Sequence, residues 1–211
     1  MAPSPSPEGN GGAGADLTAD DRAYLLDIAA RSIERGFDGR GPLPVDPDTA
    51  PPATRVRAGA FVTVTVAGEL NGCIGTIEPI ESLVATVARC AWDAAFDDPR
   101  LPALQRSQID RTGIEVSVLS PMEPIDVHSE AELVAALRPG VDGLLIDGDG
   151  HRATFLPAVW EQVPEPELFV HLLERKAGLW PGTWSPRRRA YRYTATKFGN
   201  EAVRPRRSAA G

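Results

Sequence analysis

The sequence predicts an α+β fold: a mixed, mostly antiparallel sheet with packed helices. Three observations lead there. Alternating, β-branched segments are separated by short turns and read as hairpins. Between them lie segments whose apolar residues recur at helical spacing. The two kinds interleave, yet the hairpins are too frequent for a doubly wound parallel sheet. The 211 residues, 42% hydrophobic and 24% charged, are enough for one domain or two small packed subdomains with a sizeable core.

Residues 1–15 are Pro, Ser, Gly and Ala with one glutamate and no large apolar group after Met1. They bury too little surface to offset their ordering entropy and are read as a disordered tail. A helix begins after Thr18, whose hydroxyl caps it, with Asp20 and Asp21 at its positive end. Leu25, Ile28, Ala29 and Ile33 follow at helical spacing, and Gly36 stops it. Residues 39–52 form a proline-rich connection.

Ala60-Phe61-Val62-Thr63-Val64-Thr65-Val66 alternates as a strand. The chain turns at residues 67–69, and residues 70–77 return as the second strand of a hairpin, placing Cys73 in a sheet. Leu83, Val84, Val87, Ala88, Ala91 and Ala95 mark a helix with Ser82 near its start. Pro99 ends it, because proline disfavours helical geometry in the residue before it. Residues 113–119 alternate again.

Ser129 and Glu132 are spaced as a capping box that opens a short helix to Arg138. Residues 143–146 and 152–156 read as strands joined around Asp147-Gly148-Asp149-Gly150. A helical turn at 158–162, a helix over 167–177 and a last strand over 191–196 complete the pattern. Residues 16–198 are thus the domain, and residues 199–211 a disordered, basic tail.

The net charge of -7 argues against nucleic acid as a partner for the whole molecule. Arg187, Arg188 and Arg189 read as a solvated charge run. No apolar run approaches the roughly 20 residues of a membrane helix. Cys73 and Cys90, separated by a predicted helix, are a poor disulfide framework, so a reducing, cytoplasmic setting is expected.

The stretch that organises the chain is Leu70-Asn71-Gly72-Cys73-Ile74-Gly75-Thr76-Ile77, followed by Glu78. Glycine inside a strand marks a bulge, or a close approach by another backbone or a ligand. Cys73 is either a nucleophile or redox thiol, which needs a neighbouring charge or base, or a small buried hydrophobe. Asn71, Glu78, Asp97, Asp98, Arg100, Glu115 and Ser117 lie at strand ends or opposite the apolar alternation. If the strands share a sheet, several converge on one concavity with Gly72 and Gly75 beside them. Otherwise Asp98 and Arg100 merely brace a helix end. No metal motif is present: CxxC, HxxxH and HExxH are absent, and the Asp147–Gly150 segment reads as a hairpin turn. His128, His151 and His171 are scattered, and the sequence leaves the cofactor unknown.

The blocks beginning at Gly59 and Leu70, Ala94-Ala95-Phe96-Asp97-Asp98-Pro99-Arg100, residues 114–121, 137–143, 152–157, 159–162 and 175–179 resemble, in order, those of the AMMECR-type domain family. Its prokaryotic members are called AmmeMemoRadiSam system protein A. The resemblance covers residues 18–198. It implies two subdomains around a cleft, with the signature nearby, and the company of a Memo-like protein and a radical SAM protein. It implies no settled activity. The family signature is Leu-Arg-Gly-Cys-Ile-Gly, and Asn71 stands where the arginine is expected, removing a fixed charge and a bidentate fork.

The expected function is a binding or adaptor domain that takes a small molecule or a peptide beside residues 71–78. The alternative is an enzyme of a modification pathway that uses Cys73 as nucleophile or acceptor thiol.

Overall fold

The computed structural model describes residues 17–202, with side chains to residue 199. The tail expected over residues 1–15, and the end of the other from residue 203, lie outside the described residues. In chain order the elements are α1 (Ala19–Gly36), β1 (Ala60–Val66), β2 (Glu69–Thr76), α2 (Leu83–Phe96), β3 (Thr112–Leu119) and β4 (Glu123–Ile125). They continue with α3 (Glu130–Ala136), β5 (Gly143–Gly148), β6 (His151–Phe155), α4 (Pro166–Lys176), β7 (Arg189–Tyr193) and β8 (Ala195–Ala202). The fold is α+β, as expected. The chain divides into two compact units, Met1–Val118 with Lys197–Gly211, and Leu119–Thr196.

The first unit carries a sheet in the order β2-β1-β3-β8, with β1 antiparallel to both β2 and β3. Alternation along β1 sends Ala60, Val62 and Val64 to one face, where all three are buried with Leu83, Val84 and Val87 of α2. Burying each such valine or leucine contributes roughly 1.5–3 kcal/mol, so this layer fixes which face of the hairpin points outward. The caps read from the sequence hold. Thr18 and Asp21 form a capping box on α1, and Ser82 Oγ accepts the Ala85 N–H on α2. The β1–β2 turn is two residues, Ala67 and Gly68, at φ 53° and 88°.

The second unit carries a sheet in the order β4-β7-β5-β6, every recorded pair antiparallel. The β5–β6 turn is Asp149-Gly150, both at positive φ, so the Asp-Gly segment is a hairpin turn. Its core includes Leu133, Leu144, Ile146, Phe169 and Leu173, with the Trp160 and Phe169 rings stacked at 3.8 Å between centroids.

Two expectations are corrected. Residues 191–196 are not one strand but the end of β7 and the start of β8, and β8 runs on to Ala202, where tail was expected. The break is Thr194, which trades hydrogen bonds with Ser120: its N–H donates to Ser120 Oγ at 2.9 Å and its carbonyl accepts the Ser120 N–H at 2.9 Å. At α3, Ser129 Oγ caps the Glu132 N–H at 3.2 Å, but the Glu132 carboxylate reaches past the cap to the His128 N–H at 2.7 Å. Among the described residues, no helix is long and apolar enough to cross a membrane.

Candidate functional site

The signature stretch lies on β2, the edge strand of the first sheet. Register pairs Cys73 with Thr63 on β1, and Thr63 with Glu115 on β3. Directly opposed residues of an antiparallel pair project to the same face, and the side chains confirm it. Thr63 Oγ1 donates to Cys73 Sγ at 3.4 Å, and Lys197 of β8 lies 3.8 Å from Glu115 Oε1. A thiol, a hydroxyl and a carboxylate therefore form one row across three strands, on the face opposite the core layer, and the Lys197 ammonium of β8 reaches the carboxylate at its end. In the next row Gly75 faces Phe61, and Phe61 faces Ser117, which is buried.

Cys73 is half-buried, whereas Cys90 is buried and its thiol is pushed up to about 11 by that burial. Among the described residues, the hydrogen bond of the Cys73 side chain is to a hydroxyl, not to an imidazole or carboxylate. No group of three or more His, Cys, Asp or Glu among the described residues could hold a metal ion.

Asp98 and Arg100 act on the backbone of Cys73. As the edge strand, β2 would leave the outward N–H and C=O of Cys73 unpaired. Asp98 Oδ2 accepts the Cys73 N–H at 3.0 Å, and Arg100 Nη2 donates to the Cys73 carbonyl at 2.7 Å. The two side chains are themselves joined, Nε to Oδ1 at 2.9 Å and Nη2 to Oδ2 at 2.7 Å. With the Arg100 N–H, the Asp98 carboxylate has four donors. The Arg100 guanidinium above all holds its carboxyl well below the usual carboxylate range. The pair thus pins the sheet edge at Cys73. The side-chain hydrogen bonds of the pair run to the Cys73 backbone, to the Arg100 N–H and between the two residues, not to α2.

The glycines serve packing. A Cβ on Gly72 would lie 1.8 Å from the carbonyl oxygen of Ala94 on α2, and one on Gly75 would lie 2.3 Å from the Phe61 ring. Neither has positive φ. The group approaching each glycine is the protein itself, not a ligand. Asn71 is unpaired in the β1–β2 register, since Val64 faces Gly72 and Thr65 faces Leu70, so it forms a bulge. Its side chain is buried and directed to the loop after α2, Nδ2 to Pro102 O at 3.4 Å. Glu78 lies past the end of β2, its N–H donating to Thr76 Oγ1 at 3.0 Å.

The structure therefore brings Cys73 and Glu115 into one row and attaches Asp98 and Arg100 to it from behind. Asn71 and Gly72 belong to the packing beneath. Sequence reasoning missed Thr63 and Lys197. The alternation of residues 60–66 contained the signal for Thr63, because it sets Phe61, Thr63 and Thr65 opposite the core. The arginine run was also misread: Arg188 is buried and paired with Glu174, while Arg187 and Arg189 are exposed.

The two units, each a set of helices with an antiparallel sheet, define an α+β protein. The chain is a member of the AMMECR1 family, whose model matches residues 26–198. A protein of Methanothermobacter thermautotrophicus is 38% identical over 186 residues, covering 87% of this chain and 96% of its own. One from Thermofilum pendens is 34% identical over 179 residues, covering 80% and 84%. The crystal structure of the uncharacterized protein PH0010 from Pyrococcus horikoshii superimposes with a TM-score of 0.76 at 30% identity, covering 88% of this chain and 94% of that one.

Proposed function

We propose that this chain is a binding domain that engages a small polar ligand or a protein segment on the outer face of its first sheet, across Cys73, Thr63, Glu115 and Lys197. It acts together with a Memo-like protein and a radical SAM protein. One observation carries the site: three different polar groups stand in register across three strands, on the face the core does not use, with the Lys197 ammonium of β8 beside the last of them. Such a row offers a donor, an acceptor, both charges and a polarizable thiol to an extended segment, which suits recognition by several modest contacts. The backbone of Cys73 is held on both sides, so the row is rigid before anything binds, which lowers the ordering cost of association. The two partners rest on the family resemblance alone.

The test is calorimetric titration of the full chain with the purified Memo-like and radical SAM proteins of the same genome. Binding to at least one is expected. Glu115→Arg and Thr63→Arg should each weaken it about tenfold or more, or roughly 1.4 kcal/mol, with melting temperatures unchanged. Binding that ignores both substitutions would remove the face from the proposal, and no binding to either protein would remove the partners.

A second reading makes Cys73 the nucleophile or acceptor thiol of a modification enzyme. The observation favouring it is that Cys73, unlike Cys90, is not buried. Turnover of any compound that Cys73→Ala abolishes, with the fold retained, would move the protein into that class.

A further inference from the structure

The first unit carries a cavity that the proposed binding face does not use. Its volume is about 710 Å³, within the roughly 300–1,000 Å³ of small-molecule sites. Arg31 and Arg35 of α1, Arg40 of the loop that follows and Arg106 from the segment before β3 line it, against the carboxylates of Glu34 and Asp38. Four guanidiniums against two carboxylates leave the lining at +2, in a chain whose net charge is -7. Three of the four cations are weakly engaged. Arg31 lies 3.5 Å from Asp27 with both side chains about half exposed, and Arg35 gives Nε to a neutral acceptor, the Gly41 carbonyl, at 3.1 Å. Arg40 has no ion pair among the described residues. Arg106 meets Asp38 at 2.7 Å, but these side chains are 64% and 60% exposed, and such pairs contribute little. Only Arg35 lies in the last turn of α1, so the helix dipole accounts for one of the four.

Phe37, Leu43 and Ile109 make the apolar part of the lining. The wall that carries Arg40 and Leu43 is fixed through its backbone. Buried Ser32 donates Oγ–H to the Ala88 carbonyl at 2.6 Å and accepts the Leu43 N–H at 3.0 Å, which ties the loop to α1 and α2. Trp92 Nε1 donates to the Arg40 carbonyl at 2.8 Å. A wall held in this way lowers the ordering cost of binding.

We propose that this cavity binds a phosphate monoester of mononucleotide size, its phosphate held by the arginines and its ring lying on Phe37, Leu43 and Ile109. A phosphate monoester carries about -1.5 to -2 at neutral pH, which matches the excess charge of the lining. Guanidiniums meet phosphate oxygens two at a time, and Arg35 and Arg40, which have no carboxylate partner among the described residues, are placed to do so. Inorganic phosphate alone would leave the apolar part unfilled. Glu34 and Asp38 accept hydrogen bonds from the hydroxyl and amino groups that a nucleoside carries, and they disfavour a longer polyanion.

The experiment is calorimetric titration of the full chain at low salt with the 5′-monophosphates of adenosine, guanosine, cytidine and uridine. Inorganic phosphate and the four nucleosides are titrated as the two halves of the ligand. Saturable binding of at least one monophosphate is expected at about 1 mM or below, the range of ordinary metabolite sites, and at least about tenfold tighter than either half. Arg35→Ala and Arg40→Ala should each weaken it about tenfold, the loss of one charge-assisted contact. Arg40 gives the fold no side-chain hydrogen bond, so its variant should melt as wild type does. Cys73→Ala, on the outer sheet face, should bind unchanged, which separates this cavity from the face proposed above. The proposal is overturned if no monophosphate binds, or if phosphate or a nucleoside alone binds as tightly. Unchanged affinity in both arginine variants would overturn it as well.

Discussion

Each unit contains a carboxylate–arginine pair, and the two behave in opposite ways. In Asp98–Arg100 the carboxylate is buried but all its acceptor positions face N–H donors, and the Arg100 side chain is 62% exposed. In Glu174–Arg188 both side chains are buried, one oxygen and one nitrogen have no partner, and a second carboxyl stands beside the first. The first carboxyl is held far down and the second is pushed up. Residue types alone do not decide whether an ion pair stabilises. Hydrogen-bond satisfaction and the exposure of the cation do.

The sharpest way to break this comparison is to remove the cation from each pair. Arg188→Ala leaves a buried carboxylate with no counter-charge and should cost about 3–5 kcal/mol in urea unfolding. Next in size is Gly72→Ala, because both atoms that would collide belong to backbone. Overpacking of this kind costs about 1–3 kcal/mol, and the upper end is expected. Gly75→Ala should cost less, since part of its contact is a ring that can turn. Asp98→Asn removes a charged acceptor from a buried site and should cost about 2 kcal/mol, and Arg100→Ala about 1 kcal/mol. Arg100→Ala costs less because Asp98 keeps two backbone donors. A loss for Arg100→Ala equal to that for Arg188→Ala would dissolve the distinction.

The two pairs also give opposite slopes of stability against pH. Asp98 has a lowered folded pKa, so its contribution is complete above the unfolded value of about 3.9 and is lost as pH falls below it. Glu174 has a raised folded pKa, so its contribution is complete below about 4.3 and is lost as pH rises through the folded value. Urea titrations at stepped pH should show Asp98→Asn with a weaker acid-side decline than wild type. Glu174→Gln should show a weaker decline on the neutral side. Parallel profiles for wild type and both variants would contradict the assignment.

Local features were legible in the sequence. The Thr18 and Ser82 caps, the β1–β2 hairpin and the Asp149-Gly150 turn each depend on residues within a few positions of one another, so propensity and spacing suffice. The family blocks were legible for the same reason. Features set by distant partners were not. The bulge at Asn71 shifts register by one residue; the neighbouring glycine hints at a bulge in this stretch but does not say which residue is left unpaired. Gly72 and Gly75 announce a close approach without saying that α2 and Phe61 make it. Lys197 reaches Glu115 from the far end of the chain. Arg188 looks like its neighbours in sequence, and only the alternation into β7 turns it inward.

If the proposed binding face is the row through Cys73, Cys73 itself reports on occupancy. Among the described cysteines, Cys90 is buried in the core, so alkylation of the folded chain by N-ethylmaleimide reads Cys73. The rate should be measured by mass spectrometry, alone and with a saturating Memo-like or radical SAM protein. Cys73 of the free chain should be modified, and modification should slow about tenfold or more in the complex with at least one of them, the fraction left free when binding is favoured by roughly 1.4 kcal/mol. A complex that forms while Cys73 reacts at its free rate would contradict that binding face.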